Sequence, residues 1–302
     1  MRKNKYLIVF VCLLCIYSCS QKKNSSEIKK QTFTKEYYFN QESPGLTPKI
    51  FAPEIVSLPG RNENFAAFSP DGDSFYFVAN DSIFYMNYKN KKWTKPAIAT
   101  FIGDNGTGKY LRISPDGNTI IFNKDGDIYA NKKEGDIWSE PIKYSNNINS
   151  EEYECVACMT DNQSIYYASH REGTKGQCDI FYSEFKNGEY QSPTTVEPFN
   201  TFRSECNILV SPQNDFLIFT CFENEDSYGS TDMYISYSLE EGGWSNPVNL
   251  GEPLNTEYAD SPYSFSPDGK YFLFSRNNPI DSMDNMDIFW VDTRIFDLKI
   301  EE

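Results

Sequence analysis

From about residue 49 to residue 292, apolar positions come in short runs separated by turn residues, and the runs fall into groups that recur five times. Each group opens with a half-apolar run: FAAF, YLRI, ECVACM, NILV and SPYSF. A turn follows, then an aromatic or aliphatic run: SFYFV, TIIF, SIYYAS, FLIF and YFLFS. Next comes an aspartate-led run at Asp81, Asp127, Asp179, Asp232 and Asp287. Four groups close on an aromatic-x-x-proline element, at Trp93–Pro96, Trp138–Pro141, Tyr190–Pro193 and Trp244–Pro247. Runs of four to eight residues rich in Phe, Tyr, Ile and Val predict strands, and nothing repeats at the helical period.

The turn between the first two runs carries its own chemistry. Three copies read S-P-D-G, at Ser69, Ser114 and Ser266, and two degraded copies begin at Thr160 and Ser211. Proline sets φ for the first turn position, aspartate accepts nearby amides, and glycine takes the positive φ that leads into the next strand. The aspartate of the third run is placed to cap amides where that strand begins. Proline in the fourth element suits an outermost strand, where no ladder donor is needed.

The origins stand 45 to 55 residues apart. Four strands in that length is one propeller blade, so the reading is an all-β protein, a propeller of five four-stranded blades. The fifth group lacks its fourth strand. The missing strand is expected at the other end of the chain, in KIFAPEIVSL (49–58), with Phe51 and Pro53 approximating the fourth-strand pattern. The N-terminal strand then closes the last blade.

These turns, followed by an aromatic strand and D-I-Y or D-I-F, are similar to the TolB-like propeller repeat, also called WD40-like, of bacterial periplasmic and outer-membrane proteins. The resemblance covers roughly residues 49–292. It implies a binding or scaffolding role without catalysis and a partner that is an envelope protein or glycan.

The N-terminus supplies an address. Arg2, Lys3 and Lys5 precede an apolar run from Tyr6 to Tyr17. As a helix this run would rise about 18 Å, too short for a hydrocarbon core of roughly 30 Å, so it reads as the core of an export signal. Ile16–Cys19 reads I-Y-S-C, and here the segment resembles a bacterial lipoprotein signal. That resemblance implies cleavage after residue 18, lipidation of Cys19 and, with Ser20 following, an outer-membrane lipoprotein facing the periplasm. The expected organisation is a signal peptide over 1–18, a polar tether over 19–48 and a propeller domain over 49–302.

Charge narrows the partners. Lys and Arg total 28 against 43 Asp and Glu, a formal net charge of -15, which disfavours a nucleic-acid backbone. The membrane is reached through the lipid anchor, and the chain is expected to be a monomer.

The best functional lead is a register of acids. Six positions before each turn origin stand Glu63, Gly108, Glu154, Glu205 and Asp260. First strands line the central channel of a propeller, so four carboxylates would converge there and repel unless paired. Arg171 and Arg276, each just after a second strand, are placed to neutralise them, and Arg112 to do so in the blade whose acid is missing. Three readings stay open: ion pairs that help blades dock, a site for a cationic ligand, or a glycoside-hydrolase-like pair of carboxylates. Catalytic acids have different jobs and break repeat symmetry, whereas these acids obey it. No catalytic residue, metal site or cofactor is therefore assigned.

Other templates lack their parts. His170 is the only histidine, so a Ser-His-Asp triad within the chain would have to use it and a three-histidine metal site cannot be built. Of the eight cysteines, Cys155, Cys158, Cys178, Cys206 and Cys221 lie beyond Cys19, an odd number. Cys155 and Cys206 share a repeat position and can approach across neighbouring blades. The loops between second and third strands lengthen in the later repeats, and Asp226, Tyr228, Asp281 and Met283 there are candidates for a recognition surface.

Overall fold

The computed structural model describes residues 33–102, 105–277 and 285–296. Among them five antiparallel sheets follow one another, each running from an inner first strand to a short fourth strand. The first blade comprises Glu63–Phe68, Ser74–Ala79, Ser82–Lys89 and Ala97–Ile98. The second comprises Lys109–Ile113, Thr119–Lys124, Asp127–Glu134 and Ile142–Lys143. The third is built from Glu154–Met159, Ile165–Ser169, Asp179–Ser183 and Thr194–Thr195. The fourth uses Glu205–Val210, Phe216–Phe222, Thr231–Tyr237 and Val248–Asn249. The fifth has Asp260–Phe265, Tyr271–Asn277 and Met286–Asp292, and Lys49–Ile50 supplies its fourth strand. The ring is closed by both ends of the domain.

The turns form as their residues dictate. In the first blade Ser69 Oγ accepts from the Ser74 amide at 2.9 Å, and Asp71 accepts from the Ser69 hydroxyl and the Asp73 amide. Gly72 takes a φ of 77°. In the degraded copies Gln163 and Asn214 occupy that left-handed position instead, at 67° and 63°. Asparagine visits this region readily; glutamine does so at some cost.

Each fourth strand begins directly after a proline: Pro96, Pro141, Pro193, Pro247 and, in the closing strand, Pro48. The closing match is therefore Pro48-Lys49-Ile50, not Phe51 and Pro53. Lys49 pairs with Trp290 and Ile50 with Phe289. Proline ends the preceding turn and leaves the ladder donors to the two residues after it.

Every first strand carries a bulge, between Asn64 and Ala67, Lys109 and Arg112, Glu154 and Ala157, Cys206 and Leu209, and Pro262 and Ser264. A bulge sharpens twist and turns the strand against its neighbours. Phe65, Tyr110 and Asn207 hold positive φ at these bulges.

The tether expected over 19–48 needs correction in its second half. The compact unit begins at Phe33. Tyr37 is fully buried and donates to the Gly72 carbonyl at 2.8 Å, while Tyr38 donates to Asp268 Oδ1 at 2.9 Å. Trp93 Nε1 donates to the Tyr37 carbonyl at 2.7 Å, and the Phe39 ring stacks on Trp93. Two adjacent tyrosines have too much apolar area to stay in water when a seam can cover them. The signal peptide, Cys19 and the start of the tether lie outside the described residues. Among the described residues no helix is long and apolar enough to cross a membrane.

Candidate functional site

The four register acids do not line an open channel. Glu63, Glu154, Glu205 and Asp260 are each 0% exposed. Glu154 accepts from the Ser150 amide at 3.0 Å, the Ser150 hydroxyl at 2.6 Å, the Ser169 hydroxyl at 3.0 Å and Arg171 at 3.2 Å. Glu205 accepts from the Thr201 amide and hydroxyl at 3.2 and 2.6 Å. Asp260 accepts from both groups of Thr256 at 2.8 and 2.9 Å and from Arg276 at 2.6 Å. In all three the partner lies four residues upstream, in the loop arriving from the previous blade. Glu63 has Pro59 at that position, which has no amide proton. It takes the Leu58 amide and the Arg61 guanidinium instead. Gly108 stands where the second blade would carry its acid, and a Cβ there would meet Ile83 and Phe122 at 2.9 Å.

Burial shifts these carboxyls upward. Glu63 is pushed up to about 7 by loss of water, against the opposing pull of Arg61. Glu205 and Asp260 are raised for the same reason. For Asp260 the Arg276 charge and hydrogen bonds oppose the shift.

Arginines sit between aromatic faces beside three of the acids. Arg171 lies over Tyr167 and Phe181 at 4.9 and 5.0 Å, and Arg276 over Phe274 and Phe289 at 5.3 and 5.2 Å. Both also donate to loop carbonyls, Arg171 to Ile148 and Arg276 to Pro253 and Leu254. Arg61, which the repeat register did not flag, fills the equivalent slot over Phe77 and Phe84 from two residues before its acid. Glu205 is paired with no arginine among the described residues, and Cys221 Sγ stands 3.4 Å away.

Arg112 departs from its expected role. It pairs with no carboxylate among the described residues. Buried in the centre of the ring, it donates to the Ile208 carbonyl at 3.2 and 3.0 Å and the Pro262 carbonyl at 3.2 Å, in the fourth and fifth blades. Its guanidinium lies 5.1 Å from the centre of the Phe65 ring, which packs against Tyr110 and Tyr263. The five planar donors of arginine suit this task, since the bulged strands aim free carbonyls at the axis. The axis is plugged by side chains.

A second set of residues is legible in the sequence, outside the acid register. Asn149, Asn200 and Asn255 each stand five residues before an acid, in N-S-x-x-x-E, N-T-x-x-x-E and N-T-x-x-x-D. Each side chain accepts from and donates to one backbone position of the previous blade's third strand: Ile128, Ile180 and Met233. The next residue's hydroxyl then holds the acid. One six-residue segment thus fastens two blades.

Two of the third-strand aspartates cap as expected. Asp179 accepts from the amides of Lys175 and Gly176, and Asp232 from those of Tyr228 and Gly229. This pulls the loop between second and third strands onto the next blade. At Gly176 a Cβ would stand 1.6 Å from the Arg203 carbonyl oxygen. Asp226 is bonded within its own blade, to Asn224 of the same loop and Tyr234 of the third strand. Tyr228 is half exposed, and Asp281 and Met283 lie outside the described residues. Cys155 and Cys206 come together across the blades, joined by Cys178 from the loop; all five described cysteines are free thiols.

No protein-family profile matches this chain, and no curated protein sequence matches it. Solved structures do. TolB from Acinetobacter baumannii shares 16% identity over 76% of this chain and 54% of its own, with a TM-score of 0.47. The chain thus spans about half of that protein's length. A glycoside hydrolase matches with a TM-score of 0.50 at 8% identity, over 85% of this chain and 93% of its own. A protein solved as an RGII complex matches with a TM-score of 0.51 at 8% identity, over 86% of this chain and 94% of its own. The chain is a β-propeller. It resembles several distinct propeller families, and identities this low carry the fold alone.

Proposed function

We propose that this protein is a non-catalytic binding or scaffolding module for an envelope protein or glycan. The observation that supports this most is the state of the acids: all four are sealed from solvent and bonded to blade-to-blade loops. A carboxylate that transfers a proton to a substrate must reach it. These acids and arginines join blades.

Recognition is assigned to the end of the ring where chains enter the first strands. There Phe202 is 91% exposed, and Tyr153, Tyr228 and Phe222 are also open. Aromatic side chains offer large contact area at low entropic cost and stack on sugars or anchor protein partners. With Cys19 acylated, the propeller would hang at the outer membrane, facing the periplasm.

The test is a screen of the purified chain against peptidoglycan fragments, oligosaccharides and envelope protein fractions, scoring binding and cleavage together. Phe202→Ala should weaken binding at least about tenfold without moving the melting temperature. Glu154→Gln and Asp260→Asn should lower the melting temperature. Cleavage that disappears in one pair of folded acid-to-amide variants would replace this reading with a glycoside-hydrolase-like enzyme. Intact-mass analysis of the native membrane fraction checks the anchor, by loss of residues 1–18 and gain of acyl mass on Cys19.

A further inference from the structure

Three of the five described cysteines meet at one point. Cys155 comes from the first strand of the third blade and Cys206 from the first strand of the fourth. Cys178 comes from the loop before the third strand of the third blade, pinned beside the fourth blade by a bridge to Ser204. The Glu205 amide also donates to the Cys178 carbonyl at 2.8 Å. All three Sγ atoms lie within 4.8 Å of one another, and Cys155 and Cys178 are 3.8 Å apart.

Ordinary packing needs no such convergence, because one small apolar side chain serves as well as a thiol. A disulfide uses two sulfurs and leaves the third unexplained. A single ion uses all three. Two thiolates about 2.3 Å from one zinc ion stand about 3.8 Å apart at the tetrahedral angle, which is the Cys155–Cys178 separation here. The neighbouring acids do not join the donor set: Glu154 is held by Ser150, Ser169 and Arg171, and Glu205 by Thr201 and Cys221. The donors are three sulfurs, which select thiophilic cations over hard ones. Cys155 and Cys178 are buried while Cys206 is partly exposed, so an ion has a way in.

We propose that Cys155, Cys178 and Cys206 bind one thiophilic d10 cation, Cu(I) or Zn(II), and that the ion staples the third blade to the fourth. Cu(I) fits three sulfurs alone; Zn(II) needs a fourth ligand, which water entering past Cys206 supplies. Binding releases the thiol protons it displaces and involves no change of oxidation state.

The test uses the full chain, reduced and freed of metal. Cu(I) is titrated in competition with bicinchoninate, Zn(II) in competition with a chromophoric chelator, and Co(II) serves as a spectroscopic stand-in. One equivalent of Cu(I) or Zn(II) should bind, with a thiolate-to-metal charge-transfer band for Co(II) and a rise in melting temperature. Cys206→Ala should weaken binding at least about tenfold, whereas Cys158→Ser and Cys221→Ser should keep full stoichiometry. Cys206→Ala is the principal variant because this side chain is partly exposed; its metal-free melt establishes that it folds. In the unaltered chain, metal should also slow alkylation of Cys206 at least about tenfold, a readout that needs no variant. Failure of both ions to bind at one equivalent would overturn the proposal. So would unchanged affinity in Cys206→Ala, or a disulfide joining two of the three in the isolated protein.

Discussion

Four of the five seams between blades are closed in two different ways. Between the second and third, third and fourth, and fourth and fifth blades, one short loop segment does the work: its asparagine bonds to the preceding third strand, and its hydroxyl bonds to the acid that begins the following first strand. The seam between the fifth and first blades has no such segment. Leu58 and Pro59 stand where the asparagine and hydroxyl residue would be. That seam is held by a strand from the other end of the chain and by a belt of aromatic rings, Tyr37 and Tyr38 among them. Successive blades are joined covalently and need only a local clasp. The last seam must bring distant parts of the chain together, and loop closure has to be offset by a large buried area.

The sharpest way to break this comparison is to remove the closing segment. A chain starting at Phe51 should lose cooperative unfolding or at least several kcal/mol in urea, because it loses a strand and uncovers an aromatic seam. A chain starting at Ser43, which keeps the strand and loses the belt, should still be clearly destabilised. Equal stability of the Ser43 form and the full chain would mean the belt is decoration.

Next in size is Tyr37→Ala, which should cost about 3–5 kcal/mol in the same measurement, as expected for deleting a fully buried aromatic ring. At a polar seam, Asn255→Ala should cost about 2–4 kcal/mol, since the amide and carbonyl of Met233 both lose a buried partner. Its effect should be local. Hydrogen exchange should rise in 231–237 and 256–260 before it rises elsewhere, whereas Tyr37→Ala should loosen the first and fifth blades together.

The smallest effect sharpens the contrast through pH. Glu63 belongs to the aromatic seam and titrates near 7 in the folded chain, against 4.5 for an ordinary glutamate. The folded state therefore holds more protons than the unfolded state between these values. Stability from this group is full below about pH 4.5 and is lost as pH rises toward 7. Glu63→Gln should flatten that slope by about 1–2 kcal/mol between pH 5 and 8, read from urea midpoints. An unchanged slope would mean Arg61 keeps Glu63 ionised throughout.

Much of this was present in the sequence. Turn chemistry is local, so S-P-D-G and its degraded copies predicted the hairpins. Strand counting predicted five blades and a closing strand, because a sheet edge left open is costly. The acid register was also legible, as was the pairing of Arg171 and Arg276 beside it. The N-S/T-x-x-x-E/D segments are equally visible but carry no signal of their role, since asparagine and serine in a loop look like ordinary turn residues.

What only the tertiary structure decided concerns partners far apart along the chain. Strand periodicity places Arg112 on a first strand but cannot say that carbonyls of Ile208 and Pro262, in two other blades, converge on it. The belt of Tyr37 and Tyr38 sits in a polar stretch with no repeat to flag it, and its burial depends on turns at Gly72 and Asp268. Cys178 has no counterpart in the register that links Cys155 and Cys206, so the three-thiol cluster exists only once the loop is folded onto the next blade. Sequence fixes which groups a strand or turn presents; closure of the ring fixes which of them meet, because contacts across seams and axis depend on the positions of all five blades together.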